Sequence, residues 1–254
     1  MQIRTDLYPG EKRVDSNSDT AGSSDRTMAI YARIAGLTYL ITILLNVFSV
    51  DYIESDIFVP GADRATVSRL ANNEMRFRVC VASEIITYAL VIPLAHALYV
   101  ILRRVNKNLA LLALLLRTAE AVIGATVAML GGIVPLLLLN GEAAFGQKYM
   151  EAMTGLFFQV RDGWDVVMLF YGAGGAIFCY LLFKSKCIPR IISAWGVIIY
   201  LSLLILALVS IIKPGLSEFV KWVIIYGPLV CFEVVIGVWL LIWGVDCKFL
   251  KPQG

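Results

Sequence analysis

The stretch L-Y-V-I-L-R-R-V-N-K-N-L-A-L-L-A-L-L-L-R-T-A-E-A, residues 98–121, contains the end of one apolar run, a basic turn and the start of a second run. The apolar runs on either side extend for about 20 residues or more, the length that crosses ~30 Å of hydrocarbon at ~1.5 Å per residue. The pattern reads as a helical hairpin in a bilayer, with Arg103, Arg104 and Lys107 marking its water-facing turn.

Working outward, runs of this kind occupy residues 28–50, 79–102, 109–139, 164–183, 188–212 and 219–245. Of the 254 residues, 59% are hydrophobic and 16% are charged, and the mean hydropathy is +0.78. A water-soluble domain of this length carries far more charge. The expected fold is therefore an all-α polytopic membrane protein with six transmembrane helices.

Lys and Arg in the short connections set the expected orientation. One group of flanks holds Arg4, Lys12, Arg13, Arg26, Arg103, Arg104, Lys107, Lys184, Lys186, Arg190, Lys248 and Lys251. The opposite group holds fewer, Arg64, Arg69, Arg76, Arg78, Lys148, Lys213 and Lys221, mixed with acids. Both termini are expected to be cytoplasmic, with the protein in the cell membrane. The net charge of +3 follows from this bias, so the lipid bilayer is the expected partner and no nucleic acid is called for. Residues 1–27 read as a disordered polar tail, 28–247 as the membrane domain and 248–254 as a second tail, with the first span acting as an uncleaved signal anchor. Within the domain, 51–78 reads as an exterior loop. There V-P-G-A-D turns the chain into a short interfacial helix, with Val67, Leu70 and Ala71 at helical spacing.

Two acids interrupt the apolar runs: Glu120 opens E-A-V-I-G and Glu233 opens E-V-V-I-G. A carboxylate at bilayer depth costs roughly 2.5–3.5 kcal/mol on insertion scales, which makes each a candidate site. Glu120 lies thirteen residues beyond Lys107 and Glu233 thirteen before Asp246, so both fall ~20 Å from the cytoplasmic boundary. Arg117, three residues before Glu120, shares its helix face. Glu84 and Asp165 come out ~28 Å from the same boundary, near the outer surface. These five residues outline a pocket that opens outward onto a floor of Arg117, Glu120 and Glu233. A purely structural tie between Arg117 and Glu120, with Glu233 against a carbonyl or Tyr226, stands beside that reading. Pro93, Pro135 and Pro228 each interrupt a span and free a backbone carbonyl.

Several chemistries lack their motifs. The chain has no H-E-x-x-H, no G-x-S-x-G and no G-x-x-x-x-G-K-[ST]. Neither metal nor cofactor is expected, and His96 reads as a packing or interfacial side chain. The glycines of G-A-G-G-A-I-F, residues 172–178, read as small residues that let helices approach closely. Cys80, Cys179, Cys187, Cys231 and Cys247 show no C-x-x-C spacing, and reduced thiols without a disulfide framework are expected.

A-R-I-A-G-L-T-Y-L (32–40), V-P-G-A-D (59–63), the opening stretch, Y-L-L-F-K-S-K-C-I-P-R-I-I-S-A-W-G (180–196) and E-V-V-I-G-V-W-L-L-I-W-G (233–244) resemble a bacterial and archaeal family. Its members are multi-pass membrane proteins catalogued as a domain of unknown function. The resemblance implies a six-helix membrane fold and no particular activity. Three functions fit the residues. The first is a pocket handling a proton, a cation or a small lipophilic ligand. In the second, a membrane-embedded enzyme uses Glu120 and Glu233 as catalytic acid and base in cyclisation or isomerisation of an isoprenoid-like substrate. The third is a structural or regulatory partner of another membrane protein.

Overall fold

The computed structural model describes residues 16–49, 57, 63–139, 149, 152–153, 155–156, 160–213 and 225–245. Among these the chain is helical and has no strand. The main helices are α1 (Ser16–Ser49), α2 (Asp63–Asn72), α3 (Glu74–Leu102), α4 (Lys107–Ala128), α5 (Val134–Leu139), α6 (Trp164–Ser185), α7 (Arg190–Ile212) and α8 (Gly227–Ile242).

Among the described residues, five stretches are long and apolar enough to cross a membrane: Arg26–Ser49, Glu74–Leu102, Lys107–Leu138, Trp164–Ser185 and Arg190–Ile212. The sixth expected run is represented by α8, 16 residues of apolar helix, shorter than a full span. The rest of its N-terminal part lies mostly outside the described residues, as do 1–15, the V-P-G-A turn, residues 140–148 and the tail from 246. Helix α1 begins at Ser16, inside the stretch read as a polar tail, and its apolar portion starts at Arg26.

Local chemistry explains the connections. After α3 stops at Leu102, the Asn106 side chain accepts a hydrogen bond from the Leu109 amide at 3.0 Å and caps α4. The opening stretch is thus a tight hairpin. Between α6 and α7, Lys186 takes the left-handed conformation (φ 58°), which ends α6, and Pro189 stands immediately before α7.

Large apolar side chains point outward along the helices, among them Leu44, Leu115, Val122, Ile198 and Ile205. The inward faces carry Tyr39, Arg117, Glu120, Tyr200 and Glu233. This inside-out distribution suits a hydrocarbon surround, where a polar group must find its partner within the protein. Hydroxyls on the spans bond back to their own helix, as Thr38 does to Ile34 (2.7 Å) and Thr118 to Leu114 (2.8 Å).

The helix contacts run α1–α3, α3–α4, α4–α6, α6–α7, α7–α8 and α8–α1, so six helices close into a ring in chain order. The closing contact depends on glycine: a Cβ on Gly36 would lie 2.6 Å from both the Gly237 carbonyl oxygen and the Leu241 nitrogen. Here two backbones cross with no side chain between them.

Helix α2 begins at Asp63, the last residue of V-P-G-A-D, and its buried face differs from the expected one. Thr66 and Leu70, four residues apart, are buried, whereas Ala71 is exposed. Leu70 packs with Ile57, Phe77, Cys80, Val81 and Leu136, so α2 covers one end of the bundle. The prolines also differ in role. Pro93 is inside α3, and Pro228 lies in the first turn of α8, where a missing N–H costs little. Pro135 follows a π turn at Met129–Ile133, in which the Val134 amide bonds to the Met129 carbonyl.

One cysteine departs from expectation. Cys187 is disulfide-bonded, whereas Cys80, Cys179 and Cys231 are free. Cys247 lies outside the described residues. Spacing along a chain does not reveal which thiols the fold brings together.

The Gly36–Gly237 crossing yields a test. Gly36→Leu must separate two backbones and should lower the thermal stability of the detergent-purified protein by at least the ~1–3 kcal/mol of ordinary overpacking. Gly163→Ala, where an added Cβ meets nothing within 4 Å, should leave the melting temperature unchanged.

Candidate functional site

Buried stripes on the ring helices place the polar side chains. On α4, Ala113, Arg117, Glu120, Ala121 and Gly124 follow helical spacing along one buried face. On α8, Leu229, Phe232, Glu233, Ile236, Gly237 and Leu240 do the same. Arg117 Nη1 lies 2.8 Å from Glu120 Oε2, and both side chains are almost wholly buried. The two atoms are not aligned as a hydrogen bond, so the contact is ionic. Neither has a hydrogen-bond partner among the described residues.

Glu233 binds two tyrosines from neighbouring helices. Tyr200 on α7 donates its hydroxyl to Glu233 Oε1 at 2.9 Å. Tyr171 on α6 donates to the same oxygen. The Tyr171 ring also carries the Arg117 guanidinium, 4.5 Å from its centroid. Tyr171 therefore joins the two halves of the site: its face holds the cation and its hydroxyl holds the second carboxyl. Tyr39 on α1 is buried in the same core cluster as Tyr200. The rings of Tyr171 and Tyr200 meet edge to face at 5.3 Å, and those of Tyr200 and Phe232 at 5.7 Å.

Arg117 is paired with Glu120 and is joined to Glu233 through Tyr171. The structure thus brings together three of the five residues singled out in the sequence. Glu84 sits elsewhere, on α3, accepting from Ser49 Oγ (3.4 Å) and Cys80 Sγ (3.7 Å) near the end covered by α2. Asp165 occupies the first turn of α6, partly exposed, where a carboxylate suits the positive end of the helix dipole. His96 is exposed and meets the Tyr31 ring edge-on at 5.7 Å, a packing role. No group of three or more His, Cys, Asp or Glu able to hold a metal occurs among the described residues.

Glycines on α6 make room for the cluster. A Cβ on Gly174 would stand 2.9 Å from Arg117 Cγ, and one on Gly175 would stand 2.6 Å from the Tyr200 ring. The reading of G-A-G-G as a close-packing surface holds, and the groups it admits are members of the site. Sequence reasoning missed Tyr200, which binds Glu233, and the buried Tyr39 that packs in the same core cluster. The available signal was a tyrosine deep within each of two otherwise apolar runs, whose hydroxyl needs a partner when no water is near.

The family model for Domain of unknown function (DUF4386) matches residues 34–244. The chain belongs to this family. Tyr39, Arg117, Glu120, Tyr171, Tyr200 and Glu233 all fall within the matched DUF4386 segment. No curated protein and no solved structure matches the chain. The family and the five apolar spans identify a helical, multi-pass membrane protein.

Tyr171→Phe and Tyr200→Phe should each destabilise the protein by roughly 1 kcal/mol, the scale of a transmembrane side-chain hydrogen bond. With Glu233→Gln, either should show non-additivity in a double-mutant cycle measured by thermal or denaturant unfolding. Arg117→Met strands Glu120 and should cost ~3–5 kcal/mol, much of which Arg117→Met combined with Glu120→Met should restore.

Proposed function

We propose that this chain is a six-span protein of the cell membrane, with both termini cytoplasmic and residues 28–247 as its membrane domain, whose ring centre handles a proton or a monovalent cation. The observation that carries the reading is the joined site: Arg117 pairs with Glu120 and lies over the Tyr171 ring, whose hydroxyl holds Glu233. Two carboxylates and one guanidinium leave one negative charge enclosed, and in a low-dielectric interior a proton or cation offsets it. Tyr171 and Tyr200 hold one Glu233 oxygen, and the Arg117–Glu120 contact retains unused hydrogen-bonding capacity for an incoming group.

Arg117, Glu120 and Glu233 are each no more than 9% exposed, so entry requires helices to part. We place that opening on the outer side. Lying ~20 Å from the cytoplasmic boundary, the cluster is nearer the outside.

The aromatic enclosure of Tyr39, Tyr171, Tyr200 and Phe232 favours a second reading. Such walls suit a carbocation formed when one carboxylic acid protonates an isoprenoid-like alkene and the other carboxylate removes a proton.

Infrared spectra of the lipid-reconstituted protein at neutral pH should show a carboxylic-acid carbonyl band that Glu120→Gln or Glu233→Gln removes. If a cation replaces the proton, Na⁺ or K⁺ should instead raise the melting temperature of wild type and of neither variant. A wild-type protein with neither signal overturns the proton or cation reading. Turnover of an isoprenoid probe, lost in both variants, would establish the enzyme.

A further inference from the structure

At the connection between α6 and α7, a cavity of about 410 Å³ is lined by Lys186, Cys187, Ile188, Pro189, Arg190 and Trp239. Its floor and rim differ in chemistry. Cys187 and Ile188 are buried beneath it, whereas the Lys186 and Arg190 side chains are exposed. Lys186 is the only non-glycine residue with positive φ among the described residues, and that backbone turn sets it apart from the helix it follows.

Helix ends locate the cavity at the membrane boundary. Two apolar spans, Trp164–Ser185 and Arg190–Ile212, meet there, so it lies at headgroup level in a bilayer. Trp239 stacks on Trp243 at 4.8 Å between ring centroids, and Trp243 is largely exposed. Paired indoles at a span end suit the lipid headgroup region. The surroundings are greasy: Phe183, Ile191, Ile242 and Trp243 are exposed at the same end, and Arg190 lies 5.7 Å from the Phe183 ring.

We propose that this cavity binds the phosphate headgroup of an anionic phospholipid, held by Lys186 and Arg190, with its glycerol region against Trp239 and its acyl chains along the exposed apolar rim. Cations alone would suit any anion. Their position between two membrane spans, beside interfacial tryptophans and outward-facing apolar side chains, selects a lipid over a soluble phosphate. The site is independent of the central cluster, whose members do not line the cavity.

Phosphatidylglycerol added to the purified full-length protein in detergent should raise its melting temperature, and native mass spectrometry should show the lipid retained. Phosphatidylcholine, which carries no net charge, should do neither. Lys186→Gln/Arg190→Gln should weaken phosphatidylglycerol binding at least about tenfold, as expected from two basic groups near a membrane surface. Lys186→Arg/Arg190→Lys, which keeps both charges, should retain most binding, and Lys213→Gln at the opposite end of α7 should bind as wild type does. An equal stabilisation by inorganic phosphate at matched concentration overturns the lipid assignment, and unchanged lipid binding in Lys186→Gln/Arg190→Gln overturns the site. Should that double variant fail to fold, quenching by phosphatidylglycerol brominated on its acyl chains decides. Wild-type tryptophan fluorescence should fall by more than that of Trp239→Phe, and equal quenching in the two overturns the proposal.

Discussion

Hydrocarbon offers no water to a guanidinium, so Arg117 must find every stabilising contact inside the protein. Glu120 provides the opposite charge from the same helix face, one turn away. Tyr171 provides an aromatic surface from α6. Once Tyr171 is fixed beneath the cation, its hydroxyl reaches Glu233, and Tyr200 completes that carboxyl's shell. Tyr39 of α1 is buried in the same core cluster as Tyr200. Four of the six ring helices thereby contribute to one polar group, so disturbing it at any point is felt by several packing interfaces at once.

Bulky polar side chains in the middle of a helix ring need space, and glycine supplies it. Gly174 admits the aliphatic stem of Arg117, Gly175 the Tyr200 ring, and Gly196 the Phe232 ring. The two similar phrases acquire a physical reading from the same rule. In each, glycine follows glutamate by four residues and shares its face, so the acid and a close helix approach come together. Their partners differ: Gly124 receives the Tyr88 ring of α3, whereas Gly237 receives Tyr39 and Leu40 of α1. Ring closure between the first and last helices thus occurs one turn from Glu233. The family match begins just before Gly36 and ends just beyond α8, so it encloses both sides of this closing contact.

The bundle treats its two ends differently. At one, α2 lays Leu70 over Phe77 and Cys80, and Ser49 and Cys80 surround Glu84. At the other, the chain makes its tight turns at Asn106 and Lys186 and displays basic side chains. Between them, the π turn at Met129–Ile133 places Gly132 against Val81 and puts Pro135 beyond the widened turn. A proline removes one helical hydrogen bond, and an adjacent π turn is one place where a helix absorbs that loss.

Membrane character, the α3–α4 hairpin and the pairing of Arg117 with Glu120 were legible in the sequence because they depend on local quantities: run length, a basic turn with its cap, and three-residue spacing on one helix. A common depth for Glu120 and Glu233 was an expectation from counting residues between charged flanks, and Tyr171 is what joins Arg117 to Glu233. Partners from other helices were not legible. Nothing in the apolar runs states that Tyr171 and Tyr200 meet on one oxygen of Glu233, nor does the spacing of five cysteines show that Cys187 is bonded. Glu84 and Asp165 shared a calculated depth near the outer surface, yet one sits with Ser49 and Cys80 and the other occupies the first turn of α6. Depth is one coordinate along the helix axis, and sequence determines it together with the face on which a residue lies. Helix order around the ring and rotation about each axis are the remaining coordinates, and only the packing of all six helices decided them.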